Sequence, residues 1–151
     1  MEIDIRPMTA DGLTASAELE AMCFSTPWSI QAFKDSLDKP EIYLFRVAYI
    51  GSELVAQAGL ILSFDEADVV NVAVKPEYRK NGIAFELLNE LMKAGREKGV
   101  KDFTLEVRAG NQAAITLYEK LGFRTEGIRR NFYREPAEDA LIMWKRSNYS
   151  G

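Results

Sequence analysis

A strand, a polar turn and a helix follow one another between residues 71 and 92, and this succession restricts the fold more than any other stretch. Valines dominate the run that ends at Val74, and Pro76 then ends it because proline has no N–H to donate to a neighbouring strand. From Gly82 onward, apolar residues recur with the spacing of one helix face: Ile83, Leu87, Leu88, Leu91 and Met92. We therefore expect a strand that leads directly into an amphipathic helix.

The turn between this strand and this helix has the features of a phosphate-binding loop. Residues 79–84 read Arg-Lys-Asn-Gly-Ile-Ala. The first N–H groups of a helix have no partners within the helix and lie at the positive end of its dipole. Arg79 and Lys80 add positive charge there, while Gly82 and Ala84 leave the approach open. The pattern predicts a site for a phosphorylated ligand; the alternative is an ordinary turn with a solvated basic rim.

Cysteine and histidine content limits the chemistry. The chain has 151 residues with one cysteine and no histidine. Cys23 alone cannot form an internal disulfide or a cysteine-rich zinc site, and we expect no metal. Without histidine, proton transfer has to use Asp, Glu, Tyr, Lys, Cys or water. Cys23 has no histidine to activate it and lies among apolar residues, so we expect a buried, inert thiol and direct transfer to the acceptor rather than an acyl-cysteine intermediate.

Length, charge and hydropathy define the expected class of protein. A chain of 151 residues, 47% of them hydrophobic, predicts one domain over residues 1–151. A net charge of −4 argues against direct nucleic-acid binding. The N-terminus lacks the pattern of a secretory signal, and no apolar run approaches membrane-spanning length. We expect a cytoplasmic protein without membrane association, as a monomer or weak dimer.

Hydrophobic periodicity and turn residues predict the order of the elements. Helices are expected from a cap at Thr9 or Asp11 to about Cys23, from Ser29 to Lys39, from Gly82 to Gly99, and from Asn111 to Gly122. Strands are expected at 2–6, 42–50, 54–62, 68–74, 103–108, 123–130 and 137–145. This order predicts an α/β (α+β) fold, with a mixed sheet and helices on both faces.

The strand order also predicts where a ligand would bind. Strands 42–50, 54–62 and 68–74 are expected to form an antiparallel meander. Strands 68–74 and 103–108 should be parallel, joined by a right-handed crossover through the helix between them. Ligands of open α/β sheets bind at the carboxyl ends of strands, so the loop at 79–84 and Glu106 are expected to lie near one another.

Several motifs resemble those of the GNAT family of N-acetyltransferases. Residues 79–84 match the family's Arg/Gln-x-x-Gly-x-Gly/Ala motif, with Ala84 where glycine is usual. The segments at 24–29, 70–74, 105–123 and 129–143 are similar to family members that acetylate the N-terminal alanine of a small-subunit ribosomal protein. The resemblance covers nearly the whole chain. It implies the acyl-CoA N-acyltransferase fold, a mostly antiparallel sheet of seven strands, acetyl-CoA as cosubstrate, and the N-terminal peptide of a ribosomal protein as acceptor.

The resemblance also implies roles for particular residues. Glu106 would be the general base for the amine, and Tyr118 the general acid for the departing thiolate. The other matched positions would bind acetyl-CoA: Val72, Ala73, Val74, Arg79, Lys80, Asn81, Gly82, Ile83, Ala84, Phe85 and Asn111. From the residues alone, Lys75 is a further cation available to an acidic cofactor. Val72 to Val74 could act through backbone groups, by pairing with the amide-rich pantetheine arm and by polarising the thioester carbonyl.

Each catalytic assignment has a structural alternative. Glu106 could be a solvated carboxylate paired with Arg108, and Tyr118 could be a core residue with its hydroxyl at the rim. Trp28 and Tyr133 are candidate walls of a peptide groove. For the whole chain, two other hypotheses remain: acetylation of a lysine or a small-molecule amine, and a non-catalytic module that binds acyl-CoA.

Overall fold

Four α-helices pack on a seven-stranded sheet in the computed structural model, which describes residues 2–149. The helices are α1 (Leu13–Cys23), α2 (Ile30–Leu37), α3 (Ile83–Glu97) and α4 (Gln112–Lys120). The strands are β1 (Asp4–Pro7), β2 (Tyr43–Ile50), β3 (Glu53–Ser63), β4 (Glu66–Val74), β5 (Asp102–Arg108), β6 (Arg124–Arg134) and β7 (Ala137–Lys145). The predicted order of strands and helices is confirmed.

The strands lie in the spatial order β1-β2-β3-β4-β5-β7-β6. β2, β3 and β4 form the predicted antiparallel meander, and β4 and β5 form the predicted parallel pair. β7 pairs antiparallel with both β5 and β6, so the last hairpin places its second strand inside the sheet and leaves β6 at the edge. The mixed, mostly antiparallel sheet is thus as expected.

Side chains on the two faces of the sheet enter separate cores. Along β2, Leu44 and Ala48 belong to the core that includes α3 and α4, whereas Phe45 and Val47 belong to the core that includes α1 and α2. This alternation follows from the strand geometry, which points successive side chains to opposite faces. Helices therefore cover both faces of the sheet.

Local capping signals are confirmed at three helix ends. The Ser29 hydroxyl accepts a hydrogen bond from the Ala32 N–H at 3.1 Å, and the Asn111 amide oxygen accepts one from the Ala114 N–H at 3.2 Å. Gly122, after the end of α4, has a φ of +99°, which glycine adopts without strain.

The start of the first helix differs from the prediction. A 3-10 turn occupies Ala10–Gly12, and α1 begins at Leu13 with Gly12 as its N-cap. Neither Thr9 nor Asp11 caps α1, because the tighter turn intervenes and the Thr9 side chain makes no capping hydrogen bond. β6 also extends to Arg134 rather than to about residue 130, because its pairing with β7 continues beyond an irregularity. Among residues 2–149, no helix combines the length and hydropathy needed to cross a membrane.

Candidate active site

An opening lies between β4 and β5. The two strands pair only at their starts, where Glu66, Ala67 and Asp68 lie opposite Asp102, Phe103 and Thr104. β4 then continues to Val74 and β5 to Arg108, with no further pairing between them in the described part of the chain. Main-chain groups of β4 beyond Asp68 are consequently available on the β5 side. We call this gap the β4–β5 opening.

A bulge in β4 produces this divergence. Gln57 lies opposite Ala73 and Gly59 opposite Val70, so the single residue Ala58 faces both Asn71 and Val72. Asn71 has a φ of +57°, a conformation that asparagine tolerates better than most residues. An extra residue bends and twists a strand, and here it also exchanges the faces.

The exchange of faces is visible in the core. Ala67 and Val69, before the bulge, pack in the core with α3, whereas Ala73 packs in the core with α1 and α2. Val72 and Val74 now contact the α3 core instead. The segment from Val72 to Val74, which was predicted to bind acetyl-CoA through its backbone, therefore begins within the bulge and borders the opening.

The loop at residues 79–84 leads from β4 into α3, as predicted. Gly82 is the N-cap of α3 with a φ of +77°, and Lys80 also has a positive φ, of +66°. A Cβ on Gly82 would have no other atom within 4 Å, so the backbone conformation rather than crowding favours glycine here. The N–H groups of Ile83, Ala84 and Phe85 lie in the first turn and lack partners within the helix. They form the positively polarised end at which a diphosphate would bind.

Side chains around this loop mostly hold the loop itself. The Arg79 guanidinium donates to the Val74 carbonyl at 3.1 Å and contacts the Cys23 thiol at 3.6 Å. Asn81 donates to two carbonyls of the turn, those of Tyr78 and Arg79. Arg79 and Asn81 thus fix the loop, and any contact they make with a diphosphate would come from their main chain. Cys23 is only partly buried, in contrast to the expectation of a buried thiol.

Lys75 is occupied by another partner. Its ammonium pairs with the Glu53 carboxylate at 2.8 Å, and the Tyr78 hydroxyl donates to the same carboxylate at 2.8 Å. The pair raises the pKa of Lys75 and lowers that of Glu53. Of the cations that the sequence suggested for the cofactor, Lys80 is exposed at the loop, whereas Lys75 stabilises the turn that precedes it.

Glu106 lies on β5 beyond the point where the strand pair separates. Its neighbours Leu105 and Val107 are buried against α3 and α4, so Glu106 points to the other face of the sheet, where it is partly buried. Burial raises the pKa of the Glu106 carboxyl, the charge of Asp68 raises it further, and Arg129 opposes both. A raised pKa makes a carboxylate a stronger base. Glu106 is not in an ion pair with Arg108, whose guanidinium contacts Glu138 instead.

Tyr118 lies in α4, on the other face of β5. Its side chain is 7% exposed and meets Phe123 edge-on, with 5.9 Å between the ring centres. Burial raises the pKa of Tyr118 to about 12, with a smaller contribution from Tyr133. A thiol has a pKa near 8.5, so complete proton transfer from Tyr118 to the thiolate would be uphill by roughly 5 kcal/mol. Hydrogen-bond donation to the thiolate is therefore the role that this environment favours.

Tyr118→Phe should lower kcat about fivefold and change the KM for acetyl-CoA little, because a hydrogen bond to a developing charge stabilises mainly the transition state. Tyr78→Phe is the matched control and should leave kcat unchanged, because the hydroxyl that it removes is bonded to Glu53. Steady-state kinetics on both variants checks this, and an unchanged kcat in Tyr118→Phe would reject the role.

The β6–β7 hairpin and the α1–α2 connection meet near the end of β5. The Arg108 guanidinium donates to the carbonyls of Glu135 and Pro136 at 3.0 and 2.8 Å and lies 4.2 Å from the centre of the Tyr133 ring. Ser25 reaches across from the end of α1 and donates to the Glu135 carbonyl at 3.1 Å. The two connections therefore contact one another beside Arg108, on the same side of the sheet as Glu106.

Sequence reasoning missed several charged and polar residues of this region. Asp68 and Arg129 affect the pKa of Glu106. Tyr133, which we considered only as a groove wall, has a pKa that burial raises and that the nearby Glu106 raises further. A buried carboxylate, Glu20, lies beneath the bulge and was not considered at all. The available signal was an acidic residue within the apolar pattern of α1.

Known proteins resemble the chain over most of its length. A family model described as the acetyltransferase (GNAT) family matches residues 13–123. The ribosomal protein bS18-alanine N-acetyltransferase of Escherichia coli K12 is 38% identical over an alignment of 142 positions that covers 92% of this chain and 94% of that protein. The N-alpha-acetyltransferase RimI of Mycobacterium tuberculosis is 36% identical over an alignment of 154 positions that covers 95% of each chain. The crystal structure of the E. coli ribosomal-protein-S18-alanine N-acetyltransferase superposes with a TM-score of 0.86 and 35% identity, covering 99% of this chain and 97% of that one.

Proposed function

The chain belongs to the acetyltransferase (GNAT) family, and from that premise we propose that it transfers acetyl from acetyl-CoA to the N-terminal alanine of ribosomal protein bS18. Acetyl-CoA-dependent N-acetyl transfer is the activity of this family and of the related N-acetyltransferases. The finer part of the proposal, the ribosomal-protein substrate, is supported by two related enzymes that are named for it or for N-terminal acetylation. The single observation that carries it is 38% identity to the E. coli enzyme over 92% of this chain.

The chemistry of the acceptor agrees with the proposed base. An amine attacks a thioester only when it is deprotonated. A peptide α-amine has a pKa near 8, against about 10.4 for a lysine side chain, so an α-amine needs much less help at neutral pH. Glu106, with its raised pKa, is suited to that smaller task, directly or through a water molecule.

The proposed roles follow the geometry. The first turn of α3, with Gly82 to Phe85, and Lys80 hold the diphosphate of acetyl-CoA. The backbone from Val72 to Val74 pairs with the pantetheine arm inside the β4–β5 opening, and an N–H of this segment polarises the thioester carbonyl. Asn111, at the start of α4, is a further cofactor contact. The amine attacks the thioester carbonyl, loses its proton to Glu106, and expels the thiolate, which Tyr118 stabilises.

The test is mass spectrometry of peptides incubated with the protein and acetyl-CoA. The panel contains the bS18 N-terminal peptide with alanine first, a version with its α-amine blocked and an internal lysine free, and versions with other first residues. We expect one acetyl group on the free α-amine of the alanine peptide and none on the blocked peptide.

Each outcome of this panel discriminates between functions. Acetylation of the blocked peptide at lysine would move the assignment to a lysine acetyltransferase. No acetylation of any peptide, with acetyl-CoA bound, would favour a small-molecule amine or a module that only binds the coenzyme.

A further inference from the structure

A buried carboxylate joins four segments beneath the bulge. Glu20, on α1, is 2% exposed. Its carboxylate accepts hydrogen bonds from the Gln57 amide of β3 at 2.9 Å and from the Asn71 amide of β4 at 2.8 Å. The backbone N–H of Trp28, in the connection between α1 and α2, points to the same carboxylate at 3.4 Å. A single side chain therefore links the α1–α2 connection to β4, the strand that borders the opening.

In the described part of the chain, hydrogen bonds, and not a cation, stabilise the buried Glu20 carboxylate. Taking a charge out of water is costly unless it is paired or well hydrogen-bonded. No cation contacts Glu20 among residues 2–149; its partners are two side-chain amides and a backbone N–H. Donors from three separate segments therefore converge on one acceptor, and its removal would leave the Gln57 and Asn71 amides and the Trp28 N–H without it.

Asn71, which bonds to Glu20 at the bulge, has a left-handed backbone conformation. Asn71 has a φ of +57° and is one of the two residues that face Ala58. Its tether to Glu20 fixes the side chain and so restricts the backbone at the position where β4 turns toward the opening. The next residue, Val72, begins the segment whose N–H groups face the thioester in the proposed complex.

We propose that Glu20 is a positioning residue. It fixes the Asn71 bulge relative to the α1–α2 connection at Trp28, so that a backbone N–H of β4 points at the thioester carbonyl. The inference rests on the proposed function, because it assigns Glu20 to the same transfer reaction. Glu20 touches neither the coenzyme nor the reacting atoms; it acts through Asn71.

Two substitutions at position 20 test its hydrogen bonds: one keeps an acceptor oxygen and the other removes it. Glu20→Gln keeps an oxygen for the Asn71 amide. Its own NH₂ replaces the oxygen that faces the Gln57 NH₂, so the Gln57 amide has to turn over and accept through its oxygen, which has no partner in the described part of the chain. Glu20→Ala leaves both amides without their acceptor. We expect kcat to fall about five- to tenfold in Glu20→Ala and to stay within about threefold of wild type in Glu20→Gln, with the KM for acetyl-CoA little changed in both.

A spectroscopic measurement reads the positioning directly. Acetyl-CoA labelled with ¹³C at the acetyl carbonyl is bound to the protein, and the carbonyl stretch is recorded by isotope-edited infrared spectroscopy. A hydrogen bond from the bulge weakens the C=O bond, so the wild type should shift the band to lower frequency than in free coenzyme. Glu20→Ala should return it toward the free value, and Glu20→Gln should keep the wild-type shift.

The control is Leu19→Ala, which removes a fully buried side chain from the same turn of α1. It should lower the melting temperature but leave the carbonyl band and kcat unchanged below that temperature. A folded Glu20→Ala protein with wild-type kcat and wild-type carbonyl band would overturn the proposal.

If Glu20→Ala does not fold, Asn71→Gly decides, since glycine adopts the positive φ freely but lacks the tether. Loss of the band shift and of kcat in Asn71→Gly supports the positioning role, and unchanged values overturn it. The band needs only bound coenzyme, so a wild type that shows the shift but acetylates no peptide would refute the proposed function and not this inference.

Discussion

Glu106→Gln is expected to lower kcat at pH 7 by about 100-fold, the usual contribution of a positioned general base. Glutamine keeps the shape of the side chain but cannot accept a proton, so the amine would have to lose its proton to solvent. The KM for acetyl-CoA should change little, because the loop at residues 79–84, and not Glu106, is proposed to hold the coenzyme. Steady-state kinetics with the α-amine peptide measures both quantities.

The pH profile of the same variant tests the assignment further. A base works in its ionised form, so the wild-type rate should fall as pH drops through the pKa of Glu106, which burial and Asp68 raise above the ordinary value of 4.5. Glu106→Gln should lose this step and keep only the rise near pH 8 that belongs to the peptide α-amine.

Glu66→Gln is the matched control, because Glu66 is an exposed carboxylate at the closed end of the β4–β5 pair. It should leave both the rate and the profile unchanged. If Glu106→Gln retained the wild-type rate, the base would have to be sought elsewhere, with Asp68 or water as the next candidates.

Gly82→Ala is expected to weaken acetyl-CoA binding by about 5- to 30-fold. A residue with a Cβ pays about 1–2 kcal/mol to remain in the left-handed region, and Gly82 has a φ of +77°. The substituted loop would relax and turn the N–H groups of the first turn away from the diphosphate, and binding would have to restore them at that cost. Isothermal titration with acetyl-CoA measures the dissociation constant.

Gly51→Ala separates this effect from a general loss of stability. Gly51 has a φ of +61° in the β2–β3 turn, and a Cβ on it would also have nothing within 4 Å. Gly51→Ala should therefore lose free energy of unfolding without losing affinity for acetyl-CoA, whereas Gly82→Ala should lose affinity. Equal dissociation constants for the two would show that α3 does not bind the coenzyme through its N-terminus.

The turn from β4 into α3, with the loop at residues 79–84, illustrates what could be predicted from a few neighbouring residues. Pro76 ends a strand, Gly82 begins a helix, and both were placed correctly because proline and glycine act on the backbone at their own positions. The side chains of the same loop were predicted less well. Lys75 was expected to meet the cofactor, yet it pairs with Glu53, a residue of another strand.

The candidate catalytic residues divide in the same way. The alternation along β5 placed Glu106 on the partly buried polar face. Whether its pKa rises depends first on its burial, and then on Asp68 and Arg129, which other strands supply. The helical pattern gave Tyr118 as a core residue with its hydroxyl near the rim. Its depth, and hence its pKa of about 12, required the packing of α4 on the sheet. The roles of both residues remain predictions.

The sequence by itself determined the type and order of the elements, most of the caps, and the turn that leads into α3, since each depends on residues within a few positions of one another. Only the tertiary structure decided that β4 bulges at Asn71, that the faces of the strand exchange there, and that Glu20 lies beneath it. Glu20 and Asn71 are 51 positions apart in the chain. Local patterns do not record which distant residues will share a core, and the shape of the β4–β5 opening depends on such pairs.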